Sequence, residues 1–475
     1  MADVRDFGAV GDGIQDDTAA IQHAVDDGDG VVEFGRGNYR ISKTIVVQSK
    51  SCGRIAICGK GGTAKIMMWG VGPAISLEGT HGSTADPAGF RPEEWQKERM
   101  PTVRDVEIEG RNPNADGIKI NGVMQPTLTG LLVREVRHAV HITGRARNLV
   151  IDHCHFYHNT GVGVFLEEVN LHQSIIADSH ISYCRLGGIR IEDSEIRNLQ
   201  ITGNDIEYNN VRSHKDLDDE PSADIYIDVG EKGTVREGTI SSNTIQATYS
   251  QNGSNIRIIG SDQNRLGKKA GSVMPIVNHR AGMWTISGNL IGSQDNNVHL
   301  TNVRGVVMTG NYVYSGHHRN VLIQGSRNIV IGSNCMGHNP DYRKNELATG
   351  IRLENCEGCN VSGLLIEDAE AGKHTVPNTV PIKREALIEI MNCRRVSLSG
   401  VQVLDPTPVG IRLHQCQDTV LTGCTVIDDR IPQKMTMPIL WTGEGTGNMI
   451  TGCRMGKGSE GDMKIPETVQ VIGNA

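Results

Sequence analysis

Two short hydrophobic patterns alternate along this chain, and neither has helical spacing. The first reads apolar-x-Gly/Ser-x, followed by another apolar strand. It occurs as Ile151-Asp-His-Cys154, Ile176-Ala-Asp-Ser179, Ile201-Thr-Gly-Asn204, Ile240-Ser-Ser-Asn243, Ile286-Ser-Gly-Asn289, Met308-Thr-Gly-Asn311 and Ile331-Gly-Ser-Asn334. It returns at Val361, Leu398, Leu421 and Ile450. The second is a period-two run such as Ala139-Val-His-Ile142, Gly163-Val-Phe-Leu166, Gly188-Ile-Arg-Ile191 and Asp224-Ile-Tyr-Ile227. Where no loop intervenes, the unit returns about every 22–25 residues. Two or three short strands per unit, with no helical stretch between them, predict a parallel β-helix. Each coil buries its apolar face only by stacking on the next. The register of a leucine-rich repeat and the Trp-Asp signature of a propeller are both missing.

The period of two divides the second pattern into inward and outward residues. One outward column runs Lys119, His141, Phe165, Arg190, Tyr226, Arg257, His299, Leu322, Arg352, Glu389 and Arg412. Two residues on, a second runs Asn121, Thr143, Glu167, Glu192, Asp228, Ile259, Thr301, Gln324, Glu354, Met391 and His414. Asp224 shares the parity of Tyr226 and is placed outward as well. Asn204, Asn243, Asn289, Asn311 and Asn334 fall at one corner of successive coils and predict an inward, hydrogen-bonded Asn ladder.

Composition agrees with many turns and few large side chains: Gly is 57 of 475 residues and aromatics are 4%. Pro is 16, which excludes a collagen-like chain. The net charge of −8 and the lack of a basic block argue against a nucleic-acid partner. No stretch approaches the ~20 apolar residues of a membrane helix, so no membrane partner is expected. The first residues do not read as a signal peptide. That leaves a cytoplasmic protein, or an exported one whose signal is not in this chain. Eleven scattered cysteines do not form a disulfide framework. Most sit in strand-like text, Cys356-x-x-Cys359 included, and read as small core residues.

The N-terminus adds a different kind of signal. Asp16-Asp-Thr18 reads as a helix cap, Ala19 to Val25 as a short helix ended by Gly28, and Val31 to Phe34 as a strand. Together, Asp6-Phe-Gly-Ala-Val-Gly-Asp-Gly13, Asp16-Asp-Thr-Ala-Ala-Ile-Gln22 and Gly30-Val-Val-Glu-Phe-Gly-Arg-Gly-Asn-Tyr39 resemble the opening of the pectate-lyase-like superfamily. One departure is Gly35, where the family pattern has Pro. The resemblance implies an all-β, single-stranded, right-handed parallel β-helix with a short N-terminal capping helix. It places the cap and first strands in 1–50 and the β-helix in 51–475, with loop insertions near 79–101, 210–222, 337–347 and 368–384. The superfamily includes polysaccharide lyases, polygalacturonase-like hydrolases, epimerases, fructotransferases and tailspikes. Their Asp-Pro-His-Glu and Gly-His-Gly catalytic patterns are absent here, so no catalytic residue carries over.

Chemistry must therefore come from the columns. Glu167, Glu192 and Asp228 are candidate catalytic carboxylates on successive coils, ~4.8 Å apart at the backbone. Glycosidic cleavage uses two carboxyl groups, ~5–5.5 Å apart for retention and ~6.5–9.5 Å for inversion. Arg190, Tyr226, Asp224, His141 and Phe165 are candidate substrate-binding residues, joined by Arg212 and His214 from the insertion before Asp224. Arg190 would hold an acidic group on a sugar; Tyr226 or Phe165 would stack on a sugar face. The plainer reading of the acids is a solvated strand face. His155 should stack near His180 and Asp205, which reads as surface hydrogen bonding rather than a metal site.

Three functions follow. The first is a glycoside hydrolase or related glycosyl-transferring enzyme acting on a poly- or oligosaccharide with no cofactor. The second is a polysaccharide lyase eliminating across a uronic acid, with Ca²⁺ as its cofactor. The third is a non-catalytic glycan-binding or tailspike-like protein. A homotrimer or other homo-oligomer suits the architecture.

Overall fold

The protein was analysed as a computed structural model. The structure describes residues 2–82, 89–210, 220–246, 249–261, 280–337, 350–367 and 385–474. Arg212 and His214, with the greater part of the predicted 210–222, 337–347 and 368–384 insertions, lie outside them. The chain divides into two compact units, Met1–Val211 with Asp224–Thr239, and Arg212–Ala223 with Ile240–Ala475. Each is a run of right-handed, all-parallel β-coils.

In the first unit a typical coil uses three strands, for example Val150–Asp152, His155–Tyr157 and the start of Val162–Ala177. The period-two pattern sets the register. Ile120, Ile142, Leu166, Ile191 and Ile227 stack as one inward column, and all are fully buried. Phe156, Ile181 and Ile206 form another on the facing sheet. Burying each such side chain contributes roughly 1.5–3 kcal/mol. The capping helix is Thr18–Asp27, with Ile21, Ala24 and Val25 turned inward. Asp17 stands at its N-cap without a side-chain bond to the helix, and Asp16, one residue before, accepts the Thr18 backbone N–H at 3.0 Å. The Gln22 amide then bonds both ways with the Val46 backbone, at 2.8 and 2.9 Å. A side chain thus satisfies a strand edge that would otherwise stand open.

The second unit repeats the scheme. Val298, Val321, Ile351, Ile388 and Ile411 are its buried column. The predicted ladder is present there. Nδ2 of Asn243 donates to Asn289 Oδ1 (3.0 Å), Asn289 to Asn311 (2.9 Å) and Asn311 to Asn334 (2.9 Å). Each Oδ1 also accepts a backbone N–H from the coil before. In the first unit the same corner is held by Cys154, Ser179 and Asn204, through Ser179 Oγ and Asn204 Oδ1. The residue before this corner turns left-handed, with φ of +47° at Asp178 and +70° at Gly203. That requirement explains the recurrent Gly of the first pattern.

All eleven cysteines are free, and nine are buried, in line with a core role. No described helix is long and apolar enough to cross a membrane.

Candidate functional site

The outward columns fall in the register the alternation predicts. On adjacent strands of the first unit, His141 pairs with Phe165, Phe165 with Arg190 and Arg190 with Tyr226. Glu167 pairs with Glu192 and Glu192 with Asp228. The three candidate carboxylates therefore share one face on consecutive strands. The side chains of Glu167 and Glu192 remain 44% and 29% exposed.

Each carboxylate has a different partner. Glu167 Oε2 lies 3.1 Å from His141 Nε2. Glu192 Oε1 accepts from Arg190 through Nε, at 2.8 Å, and through Nη2, at 2.5 Å. Asp228 accepts the Gly230 backbone N–H at 2.9 Å and lies 3.4 Å from the Tyr226 hydroxyl. Burial lowers the pKa of His141 even though Glu167 opposes the shift. An unprotonated imidazole beside a carboxyl group can move a proton. A guanidinium beside a carboxylate holds it in place.

Several expected binding roles do not survive this geometry. Asp224 is fully buried rather than outward. It is third in the strand Ser222–Asp228, whose first six residues are all buried, so parity does not set exposure over that stretch. Asn255, Asn297 and Asn320 occupy the same position in later coils and are also fully buried. Asn297 Nδ2 donates to Asn320 Oδ1 at 2.9 Å, a second amide ladder that the sequence reading missed. Phe165 and Tyr226 are 7% and 5% exposed, so neither offers a platform for a sugar. The Arg190 guanidinium covers Tyr226 at 4.4 Å, and His141 stacks on Phe165 at 5.3 Å. Arg190 itself is engaged: Nε and Nη2 serve Glu192, and Nη1 reaches the Leu186 carbonyl at 3.4 Å. Its guanidinium thus holds Glu192.

His138 was missed. Its ring lies 5.1 Å from Phe165 and 6.0 Å from His141. Its backbone N–H donates to Asp116, which also takes two donors from Arg137, at 2.9 and 2.7 Å. Nδ1 of His138 accepts the Val162 N–H at 3.2 Å, which leaves the ring proton on Nε2. Burial drives its pKa down to about 4. The available signal was a second His three residues before His141, at the turn that opens the strand.

On the facing sheet, His155 stacks on His180 at 5.1 Å, and His180 Nδ1 lies 3.2 Å from Asp205, as the repeat implied. Among the described residues no group of three or more His, Cys, Asp or Glu side chains is arranged to hold a metal ion.

Comparison with known proteins adds a family likeness. Residues 1–215 match the model of the rhamnogalacturonase A/epimerase, pectate lyase-like family. The pectate-lyase-like resemblance thus extends from the opening motif across the strands that carry Glu167 and Glu192. No curated protein matches the chain in sequence. Among solved structures, the pre-mature gene product 12 of bacteriophage phi29 aligns with a TM-score of 0.57 at 12% identity, covering 99% of this chain and 66% of that one. The A-module of a mannuronan C-5 epimerase from Azotobacter vinelandii aligns with a TM-score of 0.43 at 14% identity, covering 100% and 99%. A GH87 α-1,3-glucanase catalytic unit from Streptomyces thermodiastaticus aligns at 0.37 and 13%, covering 100% and 68%. At these identities the phage protein supports the parallel β-helix fold and nothing further.

Proposed function

We propose that this protein is a carbohydrate-active enzyme that cleaves or transfers a glycosidic bond with Glu167 and Glu192 as its working pair. The observation that carries the reading is their contrast: two partly exposed carboxyl groups in register on adjacent strands, one facing an imidazole and the other clamped by a guanidinium. Paired carboxyl groups divide acid and base roles when their surroundings differ. Glu167, with His141 to exchange its proton, protonates the leaving oxygen. Glu192, fixed by Arg190, attacks the anomeric carbon or activates water. Adjacent parallel strands lie ~4.8 Å apart, which fits the short separation of a retaining enzyme. Asp228, one strand further, is the alternative base for an inverting reaction. The pectate-lyase-like match over residues 1–215 agrees with a glycan ligand.

The test is a polysaccharide panel with product mass analysis, run on wild type and Glu192→Gln. Cleavage by wild type and its loss in a folded variant support the reading. Equal activity overturns the assignment.

One observation favours a second reading. His141 is lowered by burial, and a neutral imidazole on the outward face can serve as the base of a β-eliminating lyase acting on a uronic acid. A lyase product carries a new double bond, so rising near-ultraviolet absorbance during digestion selects it. Ca²⁺ belongs to that reading alone, and turnover unaffected by a chelator removes it. Binding without turnover across the panel would place the protein among glycan-binding proteins instead.

A further inference from the structure

The carboxylates of the outward face differ in what holds them. Glu192 is clamped by Arg190 and Glu354 by Arg352, in each case the arginine two residues before it. Glu167 has Phe165 at that place, and its carboxyl meets His141 Nε2 instead, at 3.1 Å. A guanidinium is nevertheless close. Arg137 stands three residues before the strand Val140–Arg147 that carries His141, and Glu167 is one of the two carboxylates whose charge reaches it. The other is Asp116, which acts on it most strongly.

Asp116 is 5% exposed, and three N–H groups converge on it. Its Oδ1 accepts Arg137 Nε at 2.9 Å and the His138 backbone N–H at 3.1 Å, while Oδ2 accepts Arg137 Nη2 at 2.7 Å. Such a two-pronged contact fixes the direction of a guanidinium as well as its charge. The Arg137 side chain is 48% exposed, so Asp116 rather than packing sets where it points. The same carboxylate fixes the turn. With its N–H on Asp116 and its Nδ1 accepting from Val162, His138 lays its ring 5.1 Å from Phe165, on which His141 stacks at 5.3 Å.

An arginine beside Glu167 would change what that carboxyl can do. A guanidinium favours the ionised form and cannot exchange a proton, whereas an imidazole can. The charged and titratable groups around the Glu167–His141 pair are Lys119 on the preceding strand, Arg190 and Glu192 on the following one, and His138, Arg137 and Asp116 at the turn. Of the cations, Arg190 is committed to Glu192, and Lys119 lies in register with His141. Arg137 is the cation whose commitment depends on Asp116.

We propose that Asp116 is a positioning residue of the site: it keeps the charge of Arg137 off Glu167 and holds the His138 ring against the Phe165–His141 stack, so that an imidazole and not a guanidinium serves the Glu167 carboxyl. The role of Glu167 as the acid rests on the proposed function; the withholding of Arg137 rests on its ion pair with Asp116.

The test compares wild type, Asp116→Asn and the double variant Asp116→Asn with Arg137→Met. One readout is the pH profile of kcat/KM on a cleaved glycan. The other is the imidazole NMR titration of His141, with histidine-selective labelling and assignment by loss of the signal in His141→Gln; it needs no turnover. In Asp116→Asn the freed guanidinium makes the Glu167 proton leave earlier, so the alkaline limb of the rate should move to lower pH by about one unit. The His141 midpoint should fall as well, because its carboxylate partner is taken and a cation is added. The double variant removes that cation and should return both readouts towards wild type, which a purely structural role for Asp116 would not allow. An unmoved His141 midpoint in folded Asp116→Asn, or no return in the double variant, overturns the proposal. If Asp116→Asn fails to fold, Arg137→Lys weakens the same pair, since an ammonium cannot make the two-pronged contact, and should lower the His141 midpoint by less. An unchanged midpoint there overturns the proposal too. A lowered His141 midpoint with an unmoved rate profile keeps the role of Asp116 and removes Glu167 as the acid, so failure of the proposed function is read separately.

Discussion

The two units carry the same pair of outward columns and finish them differently. In the second unit the charges are consumed within the protein. Arg319 donates to Glu389 at 3.2 and 2.7 Å, and both are buried. Arg352 donates to Glu354 at 2.9 Å, Gln324 joins Glu354 to His299 at 3.0 Å each way, and His299 meets Arg257 at 2.6 Å. In the first unit Glu167 has an imidazole beside it and stays 44% exposed, whereas the Glu389 side chain is 3% exposed. A polar column on a β-helix is therefore weak evidence for a site by itself. The informative property is partnering together with burial: Glu192 and Glu354 are each held by the arginine two residues before, whereas the buried Arg319–Glu389 pair has nothing left for a ligand.

The largest effect expected from this contrast is catalytic. Glu192→Gln should lower glycan cleavage by ~10³-fold or more, the scale of a lost acid or base, without changing the thermal midpoint much. Glu354→Gln, its counterpart in the same column, should leave the rate within about twofold. Initial rates on one substrate, with melts of both variants, decide it; comparable losses would erase the distinction between the units. Stability should show the reverse order. Glu389→Ala leaves Arg319 buried and unpaired and should cost about 3–5 kcal/mol, whereas Glu167→Ala removes a half-exposed contact worth under about 1 kcal/mol. Denaturant unfolding measures both. At the inward corner, Asn311→Ala strips partners from Asn289, Asn334 and the Ile286 carbonyl and should cost about 1–3 kcal/mol, with Ser179→Ala at the lower end of that range.

What the sequence made legible follows from where alternation holds. Along strand centres the period of two is rigid, so the spacing alone puts Glu167, Glu192 and Asp228 on one face. The Asn ladder was equally readable, because the same amide recurs at one position of successive coils and can bond its neighbours above and below. Alternation fails where a strand is covered on both faces. Asp224 has outward parity and is buried, because the first six residues of its strand Ser222–Asp228 are covered on both faces. Side-chain direction was also out of reach: nothing in the spelling Gly-Ile-Arg-Ile says that Arg190 folds back onto Glu192 and over Tyr226.

The last contrast concerns acid. Burial lowers His138 in the first unit to about 4 and His299 in the second to about 3. In the unfolded chain both titrate near 6.5. Between about pH 6.5 and 4 the unfolded state thus binds more protons than the folded one, and stability must fall as pH falls through that window. Above it, these groups leave stability flat. Each imidazole that stays neutral adds a slope of about 1.4 kcal/mol per pH unit within the window. His299 is held from both sides, by Arg257 at Nδ1 and Gln324 at Nε2, so protonation there also sets a new charge against a guanidinium. His299→Gln should therefore flatten the pH dependence of unfolding below pH 6 by about one proton's worth of slope. His138→Gln should do the same down to about pH 4 and no further. Urea midpoints at four pH values for each variant would separate them, and an unchanged slope for His299→Gln would show that the second unit's network is open to protons after all.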